Sequence, residues 1–409
     1  IITVKEKGGT GMKVLVLNCG SSSLKYQLFS MTREEVLAKG LVERIGIEGS
    51  RIKHSKAGMD TVTINANIPN HKVAIRMVLD ALLDPSHGVL SSLDELKAVG
   101  HRVVHGGEKF AGSVLINHEV IAALQECVPL APLHNPANLM GIEAMTEALP
   151  EIPQVGVFDT AFHQTMPSHA YMYGVPYHYY EKYRVRRYGF HGTSHYYVSQ
   201  RTAELLGKPV DHLKIVTCHL GNGSSVTAVK NGHSIDTSMG FSPLPGVIMG
   251  TRCGDVDPTL LFYLAEQEGL DTKALAHILN KESGIQGISG VSSDLRDVEE
   301  AASSGNSRAK LAEEMLYYGI RKYIGAYAAA MGGIDALVFT AGIGENSVSG
   351  REKICSGLEF LGIKIDSEKN KVRGKERIIS TDDATVAVLV VPTNEELVIA
   401  RDTKRIVGR

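Results

Sequence analysis

Apolar residues fall along this chain in short runs of strand length, several of them broken by glycine- and serine-rich tips. Lys13-Val-Leu-Val-Leu-Asn18 is apolar and rich in β-branched residues, Gly20-Ser-Ser-Ser23 follows it, and Leu24-Lys-Tyr-Gln-Leu-Phe29 restores a partial alternation. That order predicts a strand, a tight polar turn and a returning strand. The pattern recurs halfway along, as Lys214-Ile-Val-Thr-Cys-His-Leu220, Gly221-Asn-Gly-Ser-Ser225 and Val226-Thr-Ala-Val229. The chain thus repeats a hairpin with a Gly/Ser tip.

Between the hairpins, strand and helix patterns alternate. Val99 to Val104 reads as a strand, and Asn117 to Val128 as a helix with Ile121, Leu124 and Val128 on one face. Gln154 to Phe158 reads as a strand, and Asn135 with Pro136 as the N-cap and first residue of a helix over Ala137 to Leu149. Ala336 to Phe339 and Ala384 to Val391 are further apolar runs, each entering a polar loop and then a helix. Such alternation predicts open α/β sheets, whose ligands lie beyond the carboxyl ends of the strands.

The longest apolar stretch, Tyr323 to Gly344, is interrupted by Gly332, Gly333 and Asp335, so it reads as a helix ending at the glycines and then a buried strand. No membrane span is expected. Residues 1–11, rich in Gly and Lys and preceding Met12, read as a tag or disordered lead.

Composition narrows the function classes. With 409 residues, 43% apolar and 22% charged, the chain has the profile of a globular enzyme of two domains. Its 43 Lys+Arg against 45 Asp+Glu leave a net charge of −2, so no overall field draws it to nucleic acid or an anionic membrane. Any anion it binds must be held by local groups. The five cysteines (Cys19, Cys127, Cys218, Cys253, Cys355) form no CxxC pair, which argues against a disulfide framework or zinc site and for a reducing cytoplasm.

A loop that holds a polyphosphate needs inward N–H groups, glycines that let backbone approach the oxygens, and hydroxyl donors. Asn18-Cys-Gly-Ser-Ser-Ser23 and His219-Leu-Gly-Asn-Gly-Ser-Ser225 both meet that description. One such tip alone is more economically a plain hairpin turn; two, each after a buried strand, favour phosphate. A third loop, Thr340-Ala-Gly-Ile-Gly-Glu-Asn346, suits a nucleobase or ribose lying on backbone. No Walker G-x-x-x-x-G-K-[ST] sequence occurs, and no strand–GxGxxG–helix unit, so the P-loop and dinucleotide readings fail.

Three such loops on a duplicated α/β chain resemble the superfamily of acetate and sugar kinases, actin and the heat-shock chaperone ATPases. The ordered motifs go further. Asn18-Cys-Gly-Ser-Ser-Ser-Leu-Lys25, His101-Arg-Val-Val-His-Gly-Gly107, Pro132-Leu-His-Asn-Pro136, Val157-Phe-Asp-Thr-Ala-Phe-His163, Tyr188-Gly-Phe-His-Gly-Thr-Ser-His195, Thr251-Arg-Cys-Gly-Asp255 and Thr393-Asn-Glu395 resemble the acetokinase family in order and spacing, from Met12 onward.

The resemblance implies a duplicated actin-like (ribonuclease H-like) two-domain α/β fold with an active-site cleft, whose closure would exclude water. Residues 12–160 with 395–409 would form the first domain, and 161–394 a second that binds nucleotide and supports a homodimer. It implies transfer of the γ-phosphoryl group of ATP to acetate, giving acetyl phosphate and ADP. Propionate or butyrate kinases of the same family, a sugar kinase, and an actin-like ATP switch are the alternatives.

The residue roles follow the same resemblance. Phosphoryl transfer asks mainly for positioning and charge stabilisation, so cations must surround the phosphate. Arg102 and Arg252 are placed there, with His191 as a further donor, although Gly-Phe-His-Gly also suits a turn. A carboxylate acceptor, with a pKa of about 4 to 5, is already ionised and needs no base; a sugar hydroxyl would need one. Asp159 is therefore assigned to orienting groups or a magnesium-bound water. Asn18 and Glu395 are the magnesium contacts, with manganese able to substitute. Thr393-Asn-Glu-Glu396 also reads as a capping box, with Glu396 reciprocal and Glu395 free for the ion.

Val104, Leu133, Pro243 and Phe190 match the family's apolar acid pocket. Ser21, Ser23, Lys25, His219, Gly221, Asn222, Gly223 and Ser224 fall to the nucleotide phosphates. Asp294, Leu295, Arg296, Gly342, Ile343 and Asn346 fall to adenosine, although Ser293-Asp-Leu-Arg-Asp297 equally suits a helix cap. Cys19 stands where the family carries Ala or Ser, and Cys253 where it carries Ser. A thiol reagent acting on these two thiols is expected to inactivate the protein, with protection by ATP.

Overall fold

A computed structural model describes residues 11–408. The lead expected over residues 1–11 lies, apart from Gly11, outside them. The chain forms two compact units: the part up to Ala161 together with the segment from Asn394 onward, and Phe162–Thr393.

The first unit is built on an eight-stranded sheet of β1 (Lys13–Cys19), β2 (Ser23–Ser30), β3 (Glu35–Glu43), β4 (Arg51–Lys56), β5 (Val62–Asn65), β6 (Leu96–Val103), β7 (Val114–Leu115) and β8 (Gln154–Phe158). Its order is β5-β4-β3-β2-β1-β6-β8-β7. β1 and β2 pair antiparallel with Cys19 opposite Leu24, so the Gly/Ser tip is a tight connection, whereas β1, β6 and β8 run parallel. Val14 to Leu17 are buried without alternation, as expected of a strand covered on both faces.

Close approach on both faces depends on glycine. A side chain at Gly100 of β6 would strike Ile399 and Thr403 of the helix Glu395–Val407, and one at Gly141 of the helix Asn135–Ala148 would strike the Cys19 sulfur. The final helix thus packs on the sheet of the first unit.

The second unit holds a six-stranded sheet of β9 (Lys214–Leu220), β10 (Ser224–Lys230), β11 (His233–Thr237), β12 (Ala336–Thr340), β13 (Arg377–Ile378) and β14 (Ala387–Val390), in the order β11-β10-β9-β12-β14-β13. Three antiparallel strands followed by two parallel ones repeat the arrangement β3-β2-β1-β6-β8 of the first unit. That repetition is the duplicated two-domain α/β fold. One face of β9 (Val216, Cys218, Leu220) packs with the helix Ser307–Met331, and Ile215 packs on the other side with Val198 of the helix Gly192–Leu206. Ser307–Met331 ends at left-handed Gly332 and β12 follows, as the interrupted apolar stretch predicts. Among the described residues, no helix is long and apolar enough to cross a membrane.

Three local expectations are corrected. Asn135 is not an N-cap: it lies inside a helix that His134 begins, and its buried side chain accepts from the His105 N–H and donates to the His105 carbonyl instead. Residues Ala341–Asn346 form a short helix rather than a loop, with Ala341 left-handed at φ 63°. Finally, Asn394, not Thr393, caps the last helix, accepting from Leu397 N, so Glu396 has no reciprocal capping place.

Candidate active site

In the first unit, the β1–β2 tip is closed by Gly20 N donating to Ser23 O at 2.8 Å, and His71 Nε2 donates to Gly20 O at 2.7 Å. Ser21 and Lys25 are exposed there, while Asn18 and Ser23 are half-buried. Asn138 joins two strand ends: its Nδ2 donates to Cys19 O, and its Oδ1 accepts from Val104 N. Sequence reading missed Asn138, although it stands one helical turn after Asn135 in the same motif region.

Arg102 lies near the end of β6 and Asp159 just beyond β8. Asp159 N donates to Val103 O at 3.0 Å, which holds the aspartate beside the arginine's strand. Arg102 Nε reaches Asp159 Oδ1 at 3.0 Å, and Nη2 reaches Oδ2 at 2.6 Å. Asp159 is 1% exposed, so this forked pair is nearly dry on the acidic side. The aspartate, with Glu395 and Glu396 behind it, holds the guanidinium firmly protonated.

Glu395 is the first residue of the final helix. Its Oε1 is buried with no hydrogen-bond partner in the structure. Burial pushes its carboxyl up to about 7, against the pull of Arg102. An orphaned, desolvated carboxylate oxygen is a hard donor suited to magnesium, and the half-buried Asn18 offers an amide oxygen of the same kind. The donor chemistry of these two residues fits a magnesium ion. Among the described residues, no three His, Cys, Asp or Glu side chains gather into a metal set of their own.

Val104 is buried in this unit, and Leu133 is 71% exposed.

In the second unit, the β9–β10 tip is closed by Gly221 N donating to Gly223 O at 3.2 Å. Ser224 is buried and gives its hydroxyl hydrogen to Gly221 O, so its side chain builds the tip. Arg252 and His191 converge on that tip: a side-chain carbon at Gly223 would lie 3.4 Å from Arg252 Nη1 and 3.5 Å from His191 Nε2. A side chain there would fill the space between the tip and these two residues at ordinary contact distance. Arg252 Nη1 also donates to Pro243 O at 3.1 Å, which places the half-buried Pro243 beside it, and burial alone lowers the guanidinium's proton affinity.

His191 is itself left-handed, at φ 56°, and begins the helix Gly192–Leu206. A non-glycine residue in that region costs about 1–2 kcal/mol, so the surroundings must hold it. His163 Nε2 donates to the carbonyl of buried Phe190, and the His191 ring stacks on His219 at 4.1 Å. His219 Nδ1 pairs with Ser194 Oγ at 2.8 Å.

A cavity of about 520 Å³ opens beside the same tip, lined by Gly221, Asn222, Asp294, Leu295, Arg296, Gly342, Ile343 and Asn346. Its volume suits a nucleoside. The residues assigned from sequence to adenosine are therefore brought together, with Glu299, Ser347 and Arg373 added by the fold. Asp294 caps the helix Leu295–Ser303 and pairs with exposed Arg296, which holds its carboxyl down to about 2. Glu299 Oε1 accepts from Tyr317, Ser347 and Ser349, tying this wall to the helix Val348–Cys355.

Residues 13–401 match the family model described as the acetokinase family. The chain belongs to the acetokinase family. An acetate kinase of Alkaliphilus metalliredigens (strain QYMF) is 61% identical over 396 residues, covering 97% of this chain and 100% of its own. Among solved structures, Porphyromonas gingivalis acetate kinase matches at TM-score 0.94 and 54% identity, covering 97% of this chain and 100% of its own. A propionate kinase from Francisella tularensis subsp. tularensis SCHU S4 matches at TM-score 0.90 and 42% identity, with the same coverage. Acetokinase membership thus accounts for both the repeated sheet and the motif order.

The thiol expectation is corrected for Cys19. Its sulfur is buried against Gly141, and burial pushes the thiol up to about 12. Cys253 is half-buried, and its thiol is raised more mildly by the same cause.

Proposed function

We propose that this acetokinase-family chain transfers the γ-phosphoryl group of ATP to acetate, reversibly, giving acetyl phosphate and ADP by direct in-line displacement. The carrying observation is the forked Arg102–Asp159 pair. Both carboxylate oxygens of Asp159 are taken by a guanidinium, so the group is poorly disposed to remove a proton. An acceptor that is already an anion needs no proton removed. A hydroxyl acceptor would need a free base.

On this reading Arg102 offers charge to the acid and to the phosphoryl oxygens, and Asp159 fixes the direction of that charge. Arg252 and His191 stabilise the transferring group at the Gly221–Ser224 tip. The 520 Å³ cavity takes adenosine, and the backbone of both Gly/Ser tips, with Ser21, Ser23, Lys25 and His219, serves the phosphates. Val104, Leu133, Phe190 and Pro243 bound the methyl group of the acid. Asn18 and Glu395 would hold Mg²⁺, or Mn²⁺ in its place; the ion supplies charge neutralisation at the nucleotide phosphates.

The acetate kinases at about 60% identity favour acetate over propionate as the preferred acid, against 42% for the propionate kinase. Cytoplasmic location and a homodimer complete the reading. Self-association is supported by the helix Pro258–Glu268, which buries none of its residues and leaves Phe262 74% exposed.

Incubation with ATP, Mg²⁺, acetate and hydroxylamine tests the reading. Acetyl hydroxamate is the expected product. Its absence with acetate, propionate and butyrate alike would return the sugar-kinase and switch readings.

A further inference from the structure

Behind His191 lies a line of hydrogen bonds that enters the interior of the second unit. Ser225 Oγ is 2.8 Å from His191 Nδ1 and 2.7 Å from His195 Nε2. His195 Nδ1 is in turn 2.7 Å from Thr217 Oγ1. Thr217, His195 and Ser225 are fully buried. The register of β9 and β10, with Ser225 opposite His219 and Thr227 opposite Thr217, sets these side chains on the face that the helix Gly192–Leu206 covers.

A hydroxyl carries a single hydrogen, and among the described residues that of Ser225 has the two ring nitrogens as its acceptors, so Ser225 accepts from one ring and donates to the other. The inner end decides which. If His195 donated from Nδ1, the Thr217 hydroxyl would have, among the described residues, only the Thr227 carbonyl to receive its hydrogen, at 3.5 Å. That is a poor bond in a place without water. If Thr217 donates to His195 Nδ1 at 2.7 Å, each hydrogen from Thr217 through Ser225 finds a near acceptor. His195 then carries its proton on Nε2 and gives it to Ser225 Oγ, and Ser225 donates to His191 Nδ1.

We propose that the chain Thr217–His195–Ser225–His191 fixes His191 in the tautomer whose proton sits on Nε2, the nitrogen facing the Gly221–Ser224 tip. Thr217, His195 and Ser225 are positioning residues, since none of them meets the tip through this chain. Burial keeps the central His195 neutral, which a tautomer relay requires. The consequence is chemical: His191 presents a hydrogen-bond donor to whatever anion lies at the tip, where the opposite tautomer would present a lone pair. His163 complements the chain through the backbone, since its bond to Phe190 O fixes where the ring starts.

The catalytic consequence rests on the proposed role of His191, so the test separates the two. In ¹⁵N-histidine-labelled full-length protein, with the His191→Gln spectrum assigning the signal, His191 should be found protonated at Nε2 and bare at Nδ1. A proton on Nδ1 overturns the proposal. Ser225→Ala should lower kcat about 10- to 100-fold, as loss of a positioning partner does for ligand histidines, with KM for ATP unchanged. Ser225→Thr should recover the rate. Unchanged kcat and an unchanged His191 signal in Ser225→Ala would also overturn it. If His191→Gln retains full kcat while the wild-type protein shows the Nε2 proton, the hydrogen-bond chain stands and the catalytic role of His191 falls.

Discussion

Arg102 and Asp159 form a forked ion pair at the ends of neighbouring parallel strands, with contacts of 3.0 and 2.6 Å. Arg252, in the other unit, has neutral acceptors instead, the Pro243 carbonyl and the Met249 sulfur. The two arginines assigned to one reaction are therefore held by opposite means, and their substitutions should differ.

Arg102→Ala strands the buried carboxylate of Asp159 and should cost about 3–5 kcal/mol of stability as well as activity. Arg252→Ala removes a cation without stranding an anion; it should leave urea unfolding nearly unchanged while lowering the rate about 10³-fold or more. Urea titration and hydroxamate formation check both. Near-normal turnover in Arg252→Ala would remove it from the catalytic set.

Glu395→Gln tests the metal assignment. The Glu395 carboxyl is raised to about 7 from 4.5, so without Mg²⁺ its contribution favours the folded state at low pH. That contribution is lost as pH rises from about 4.5 through about 7. Glu395→Gln should remove this slope from the pH dependence of unfolding and raise the Mg²⁺ concentration needed for half-maximal rate. An unchanged slope together with an unchanged Mg²⁺ requirement would contradict the assignment.

The thiols should divide by access. Iodoacetamide on the native protein should label Cys253 slowly and leave Cys19 unmodified, because the thiolate is the reacting form and burial suppresses it at Cys19. Peptide mapping after alkylation decides; Cys19 labelled ahead of Cys253 would show that the contact with Gly141 opens readily.

Buried histidines set an acid limit. His101 and His163 are held neutral, each lowered to about 4 from 6.5 by burial. A lowered folded-state value means that their contribution to stability is complete above about 6.5 and is lost as pH falls toward about 4. Each should cost up to about 3 kcal/mol across that window. Equilibrium unfolding at pH 7, 6 and 5 measures it, and a flat profile would contradict it.

Much of this was legible in the chain. The two hairpins announced themselves because an apolar run, a Gly/Ser tip and a second run leave little other local solution. The cavity lined by Asp294 and Ile343 was legible as residue types, though Ala341–Asn346 is a helix because Thr340 ends one strand where a left-handed Ala341 can start a helix at once. The helix starts misled. Asn135 suits a helix start, and only tertiary contact shows that His105 claims its side chain; Thr393 suits one too, but the local bond from Leu397 N selects its neighbour Asn394 as the cap. The line behind His191 was hidden for a related reason: Thr217 and Ser225 look like ordinary strand residues until the register of β9 and β10 turns them to one face.

The central claim is that a carboxylate oxygen of acetate is the nucleophile at the phosphorus that ATP supplies, and so becomes the bridge of acetyl phosphate. Acetate labelled with ¹⁸O in both oxygens, incubated with the protein, ATP and Mg²⁺, should give acetyl phosphate whose ³¹P signal carries the isotope shift of one labelled bridging oxygen. No acyl phosphate signal, or one without the labelled bridge, would contradict the account.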